Sequence, residues 1–290
     1  MLPGESNPQT HFLLKKTIEI IQAFPQPDGK ILRTIDKDAC EQAVENILKG
    51  GKQIVREIVD LILEPGNGDD VRPRHALHAT AIRVGGKERK MVRNEFSSAL
   101  AGTLTDDRPL AVKGFIIRQL QICAGPEQAE KIAPFLANPN GHIYEYAAQA
   151  LQAIGVGTVG HFRKAYPEAS GDCRLTILQA LGVLEDKKSR EYFLNAVEDK
   201  DLEIRLAGMW GLMKIASSKD MGVLLSQSEK EKGWGRIKAT AYCFELAEKL
   251  TEKGQKEEAG KIYRQIKNSR KEKADNYLRQ SADLGISLLK

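Results

Sequence analysis

Aromatic residues are scarce in this chain of 290 residues: they make up 6% of it, and only two are tryptophan. Surfaces that bind nucleic acid interleave aromatics among basic side chains. Here only Tyr263 and Tyr277 stand in the most basic tract. The four cysteines, Cys40, Cys123, Cys173 and Cys243, lie 83, 50 and 70 residues apart, neither a zinc spacing nor a dense disulfide framework. Reduced, structural thiols are expected. No apolar run approaches the roughly 18 residues of a membrane span. The start, MLPGESNPQTHF, has no basic segment followed by an apolar one, so no signal peptide is visible and the cytoplasm is the default location. A processed secreted chain restarted at Met would look the same. G-x-S-x-G, H-E-x-x-H and the P-loop are absent. No catalytic residue, metal ligand or cofactor is therefore assigned, and the chain is read as a non-enzyme.

What is present is charge and period. The net charge is +5, and its distribution matters more than its sum. Residues 1–65 carry 8 basic and 10 acidic side chains, residues 66–228 carry 21 and 19, and residues 229–290 carry 15 and 10. The excess thus equals that of the last segment. Thr10 to Phe24 reads as an amphipathic helix ended by Pro25 and Pro27. Asp38 caps a helix that closes at Gly50–Gly51, and Lys52 to Leu63 is its antiparallel partner across a two-glycine turn.

From Asp70 onward one element recurs, of the form (Ala/Leu)-x-x-apolar-small. It stands at Ala81–Gly85, Leu120–Ala124, Leu151–Gly155, Leu181–Glu185 and Leu212–Ala216, with starts separated by 39, 31, 30 and 31 residues. Eleven residues before four of these starts stand Asp70, Asn140, Ser170 and Asp201, all helix N-cap residue types. Pro109 occupies the fifth such place, with Asp106 and Asp107 upstream as substitute caps. Each long helix is followed by a shorter one, over 90–104, 127–136, 158–166, 189–197 and 221–225. A two-helix unit cannot bury its apolar stripe alone, and stacking on its neighbours solves that. The pattern predicts an all-α fold, a right-handed α-solenoid of antiparallel helix pairs.

These units resemble HEAT-type repeats, of the short bacterial kind also found in phycobilisome lyases. The likeness covers 70–228 clearly and 38–64 loosely. Cys243-Phe-Glu-Leu246-Ala247-Glu-Lys-Leu250 with Gly254, Ala259 and Tyr263 resembles one tetratricopeptide unit, with Cys243 in place of the usual Trp and Lys271 in place of the late Pro. The resemblance implies an armadillo/HEAT-like superhelix whose second helices line a concave groove. Among its relatives are bilin lyases and DNA-alkylation glycosylases, the latter implying an aromatic-plus-Asp constellation in the groove. Neither family's functional residues can be traced onto this chain. A repeat module of a larger protein also fits.

Several motifs have bland explanations. Gly155-Val-Gly157-Thr-Val-Gly160 matches G-x-G-x-x-G, but a dinucleotide site needs that loop to leave a strand, and this one leaves a helix. It reads as a turn inside one repeat. His75 and His78 share a helical face but lack a third ligand. Lys261, Arg264, Lys267, Arg270, Lys271 and Lys273 place six positive charges within 13 residues. With the basic residues of earlier second helices they suggest a positive inner stripe. Trp210 and Trp234 are either unit-to-unit packing or interaction anchors.

The expectation is therefore a scaffold or adaptor that binds a protein with an acidic surface in its groove; nucleic acid is the less favoured partner. The contact residues expected are Arg89, Arg93, Arg163, Lys164, Lys188, Arg190 and Arg264. The divisions expected are 1–37 as tail and capping helix, 38–228 as HEAT-like repeats, and 229–290 as basic TPR-like and capping helices.

Overall fold

The computed structural model describes residues 8–25, 36–86 and 89–289, and within 8–14 and at Val156 only the backbone. Among the described residues every regular element is helical, with fifteen α-helices and no strand. The chain clusters into two units, 1–161 and 162–290. Each is an α-solenoid stack of HEAT-like helix pairs.

The first unit holds α1 (Pro8–Ile21), α2 (Lys37–Asp60), α3 (Val71–Gly85), α4 (Lys90–Gly102), α5 (Leu110–Cys123), α6 (Ala129–Ile132) and α7 (Ile143–Ile154). The short α8 (Val159–Ala165) runs across the division. The second holds α9 (Gly171–Val183), α10 (Arg190–Val197), α11 (Leu202–Ile215), α12 (Met221–Lys230), α13 (Gly233–Glu252), α14 (Lys256–Ser269) and α15 (Asn276–Leu288). Packing follows the repeat: α3 lies on α5 and α5 on α7, while α9 lies on α11 and α11 on α13. The recurring apolar positions form the seams: Ala81, Leu120, Leu151, Leu181 and Leu212 are all fully buried. Burying such a leucine contributes roughly 1.5–3 kcal/mol, which is why the period was so visible in the sequence.

Close helix approach needs small residues as well as large ones. On α11 a Cβ at Gly211 would stand 2.3 Å from the Phe193 ring, and one at Gly208 2.7 Å from the Phe193 carbonyl. Phe193 of α10 is fully buried. Those two glycines let α10 and α11 seat together.

The second unit is also fastened by rungs of charge. Arg174, Arg205 and Arg236 follow one another at intervals of 31 residues on α9, α11 and α13. Arg174 reaches Asp199 at 3.3 Å, ahead of the next first helix. Arg205 grips both oxygens of Glu231 at 2.6 and 3.0 Å, and Arg236 both oxygens of Asp275 at 2.9 and 2.7 Å. Two-pronged pairs of this kind fix orientation as well as charge. The guanidinium groups hold the Glu231 and Asp275 carboxyls below their ordinary values despite burial.

Several local expectations change in the structure. The cap of α2 is Asp36, whose carboxylate accepts from the Ala39 amide at 2.9 Å, rather than Asp38. The break expected at Gly50–Gly51 is present: two helical segments of α2 meet at Gly51, where φ is +62° and ψ −150°. Asp106 does not cap α5: it pairs with Arg56 and Arg108. Asn140 opens a 3₁₀ turn, and α7 itself begins after His142, which is left-handed and makes no capping bond. The helix expected over 127–136 splits into 3₁₀, α and 3₁₀ pieces. Pro134 lacks the amide hydrogen that a continuous α-helix needs there. In the N-terminal helix the side chains of Phe12 and Leu13 lie outside the described residues.

Candidate functional site

The seven basic residues of the expected contact set divide by environment. Arg89 pairs with Glu45 at 3.0 Å. Arg163 clasps both oxygens of Asp186 at 3.0 and 2.9 Å, and Arg190 meets the fully buried Asp220 at 2.8 Å. Asp186 and Asp220 each precede a second helix, so these arginines are rungs between second helices as well as surface charges. Arg93, Lys164, Lys188 and Arg264 have no ion-pair partner among the described residues; the last three are exposed and Arg93 is half-buried. Arg89 and Arg93 belong to the first unit and the other five to the second.

The basic tract of the C-terminal segment is not a uniform stripe. Arg270 is only 3% exposed. Its Nη2 donates to the Ser228 carbonyl, the Ser228 hydroxyl and the Thr240 hydroxyl at 2.9–3.0 Å, and its Nε has no partner among the described residues. Burial, then the nearby Arg236, holds its pKa below the ordinary arginine value. Lys261 and Lys267 pair with Glu257 and Asp283. Arg264 is exposed, has no ion-pair partner among the described residues, and lays its guanidinium over Gly260 of its own helix.

A second feature lies on the first helices of the same unit. Val183 of α9, Glu203, Leu206 and Trp210 of α11, and Trp234 and Tyr242 of α13 line a cleft of about 350 Å³. Both tryptophans of the chain are here. Trp210 packs over Gly182, where a Cβ would fall 2.5 Å from its ring. Trp234 is 52% exposed, as is Val183. Each indole carries a lysine from one turn later on its own helix, Lys214 over Trp210 and Lys238 over Trp234, both at 5.7 Å. The Tyr242 hydroxyl is pushed above its ordinary pKa by burial, then by the charges of Glu245 and Glu203. The acid of the cleft is Glu203, not an aspartate. The sequence marked both tryptophans but could not show that residues 24 apart face one space. In the 31-residue frame Trp234 is the counterpart of Glu203 and not of Trp210, so spacing carried no signal that pairs the two.

The other motifs resolve into packing. Gly155 takes φ +106° at the end of α7, and Thr158 Oγ1 donates to the Leu151 and Gly155 carbonyls at 2.8 Å, closing the turn before α8. His75 lies against Phe24 with ring centroids 5.4 Å apart, and burial, then the neighbouring His78, lowers its pKa. His78 Nδ1 stands 2.9 Å from Gln119 Oε1. Among the described residues no three ligand-type side chains gather around one point. All four cysteines are free thiols, and burial pushes Cys123 and Cys243 up to about 12. No helix among the described residues is long and apolar enough to cross a membrane.

No protein-family model matches the chain, and no curated protein matches it. Among solved structures it is similar to YibA of E. coli, at 13% identity over 99% of each chain with a TM-score of 0.49. A designed armadillo repeat protein shares 17% identity over 81% of this chain and 100% of its own, with a TM-score of 0.32. The CpcE–CpcF complex of phycocyanin lyase from Nostoc sp. shares 13% over 92% and 98%, with a TM-score of 0.34. Likeness at this level says nothing of partner or chemistry; the repeat fold stands on the packing described above.

Proposed function

We propose that this chain is a scaffold that binds another protein, organised by repeat type into 1–37, 38–228 and 229–290. The carrying observation is the cleft of α9, α11 and α13, on first helices rather than on the second helices expected to line the groove, where two tryptophans and a tyrosine gather on one face. Half-exposed Trp and Tyr beside apolar side chains are the groups that dominate binding energy at protein interfaces. Ile237, on α13 with Trp234, is 58% exposed and extends the apolar surface. The free cations Lys164, Lys188 and Arg264 of the second unit supply charge contacts to an acidic surface of the partner, and Arg93 offers one on the first unit. Arg89, Arg163 and Arg190 would add to that field while holding their own acids.

The test is affinity capture from native lysate with the unaltered chain, with Trp234→Ala, and with Lys164, Lys188 and Arg264 all changed to Glu. The expected outcome is a protein retained by the unaltered chain, lost with Trp234→Ala, and weakened by the triple reversal with a reduced dependence on salt. Retention of every captured protein by both variants would overturn the proposal.

A further inference from the structure

We infer that the cleft of α9, α11 and α13 receives a cationic side chain, an arginine or lysine, presented by an extended segment of the partner protein. This deepens the scaffold reading and rests on it for the partner being a protein.

The argument begins with charge. Among the residues lining the cleft only Glu203 is charged; it is exposed and has no ion-pair partner among the described residues. Unlike Asp186, Asp199, Asp220, Glu231 and Asp275, each held by an arginine, it is open to a cation from outside, and of the unit's exposed acids it is the one that lines this cleft. The other walls carry the negative faces of aromatic rings, which attract ammonium and guanidinium groups. Val183 and Leu206 offer apolar surface for the methylene stem of such a side chain, leaving its head at Glu203. About 350 Å³ is near the small end of ligand pockets, which run from about 300 to 1,000 Å³. That is room for one long side chain rather than a packed helix.

The rings already show this preference within the chain. Lys214 and Lys238 each stand over an indole, and Lys214 is balanced by Glu185 at 3.6 Å. Lys238 has no acidic partner among the described residues. It acts as an internal stand-in on Trp234 and opposes an incoming cation there. An acidic occupant would meet Glu203 and the ring faces with the wrong sign. A purely apolar one would leave the Glu203 carboxylate facing hydrocarbon.

Two opposite charges at one cleft make the occupant's sign measurable. Because the chain has only two tryptophans and both line the cleft, their indole N–H resonances report it directly. The probes are an acetylated, amidated Gly-Gly-Arg-Gly-Gly peptide, the same peptide with citrulline, and the same with glutamate. The arginine peptide is expected to shift both indole signals saturably, and the citrulline peptide to bind about fivefold more weakly. Glu203→Gln should weaken the arginine peptide about fivefold, and Lys238→Gln should tighten it severalfold. Both positions are on the surface, and unchanged circular dichroism would confirm that the fold persists. Equal binding of arginine and citrulline, tighter binding after Glu203→Gln, weaker binding after Lys238→Gln, or stronger binding of a single-stranded oligonucleotide would overturn the inference. A captured protein that needs Trp234 yet is indifferent to Glu203→Gln and Lys238→Gln would overturn it while leaving the scaffold reading intact. Capture indifferent to Trp234→Ala, with all three peptides silent, would overturn both.

Discussion

The two units answer the same structural problem with different chemistry. Each first helix has a position four residues after its cap site. In the first unit that position holds Arg74, Lys113 and Tyr144; in the second it holds Arg174, Arg205 and Arg236. Arg74 turns back to Asp70 at 2.7 Å and to the Leu63 carbonyl at 2.8 Å, and lies over the Phe115 ring of α5 at 4.7 Å. One repeat later Arg118 of α5 lies over Tyr146 of α7 at 5.7 Å. Beside carboxylate pairs such as Arg108 with Asp60, the first unit thus sets arginines on rings between its first helices, whereas in the second Arg205 and Arg236 grip carboxylates. The same apolar period serves both, so the period alone cannot show which fastening a repeat uses.

The largest effect should come from breaking a carboxylate rung. Arg205→Ala leaves Glu231, 6% exposed, without its cation, and removing one partner of a nearly buried pair costs about 3 kcal/mol. Both tryptophans lie in the second unit, so their fluorescence follows that unit while far-ultraviolet circular dichroism follows the whole chain. In urea the fluorescence midpoint of Arg205→Ala should fall well below that of the unaltered chain, ahead of the dichroism transition. Coincident, unshifted transitions would show that the rung contributes little.

Acid should expose the same difference without mutation. Arg205 and Arg236 hold the Glu231 and Asp275 carboxyls below their ordinary values. The unfolded chain then takes up those protons first as pH falls. The stability they contribute is complete above the ordinary carboxylate range, about pH 4, and is lost as pH drops through the lowered folded values. In the first unit Arg89 holds Glu45 low as well, but at a more exposed site that water screens, and the ring contacts of Arg74 and Arg118 do not titrate there. Fluorescence-detected unfolding should respond to acid before the remaining helical signal does, and the reverse order would contradict the comparison.

Much of this architecture was legible because burial writes itself into sequence at helical spacing. Ala81, Leu120, Leu151, Leu181 and Leu212 mark the buried seams, and α10 and α15 end within one residue of where their apolar pattern stops. The arginine rungs were legible in principle, since Arg174, Arg205 and Arg236 keep the 31-residue interval. Their acids do not: Asp199 and Glu231 keep near-register while Asp275 stands across a helix pair. The cleft was less legible still. A shared space depends on how α11 and α13 are rotated, which one-dimensional spacing does not encode. Arg270 shows the converse: a residue that reads as surface charge in a basic tract is buried between α12 and α13, with hydroxyl and carbonyl partners.

A smaller perturbation sharpens the first-unit side. Phe115→Leu keeps apolar volume beneath Arg74 but removes the ring face, which should cost about 1 kcal/mol. Its effect should appear in dichroism while leaving tryptophan fluorescence unfolding unchanged. A loss shared by both probes would mean that the two units unfold as one.

The smallest expected effect concerns caps that look alike in sequence. Asp201 accepts the amides of Glu203 and Ile204 at 2.8 and 3.3 Å, so Asp201→Ala should cost about 1 kcal/mol in the second unit. Asn140 stands at the same repeat position, eleven residues before its leucine, yet its side chain makes no capping bond and α7 starts three residues later. The difference lies in the backbone: Gly141 at φ +60° and His142 at φ +56° turn the chain into the helix before Asn140 can reach an amide. Asn140→Ala should therefore cost less than about 0.5 kcal/mol in urea unfolding. A cost equal to that of Asp201→Ala would mean that Asn140 caps α7 in solution.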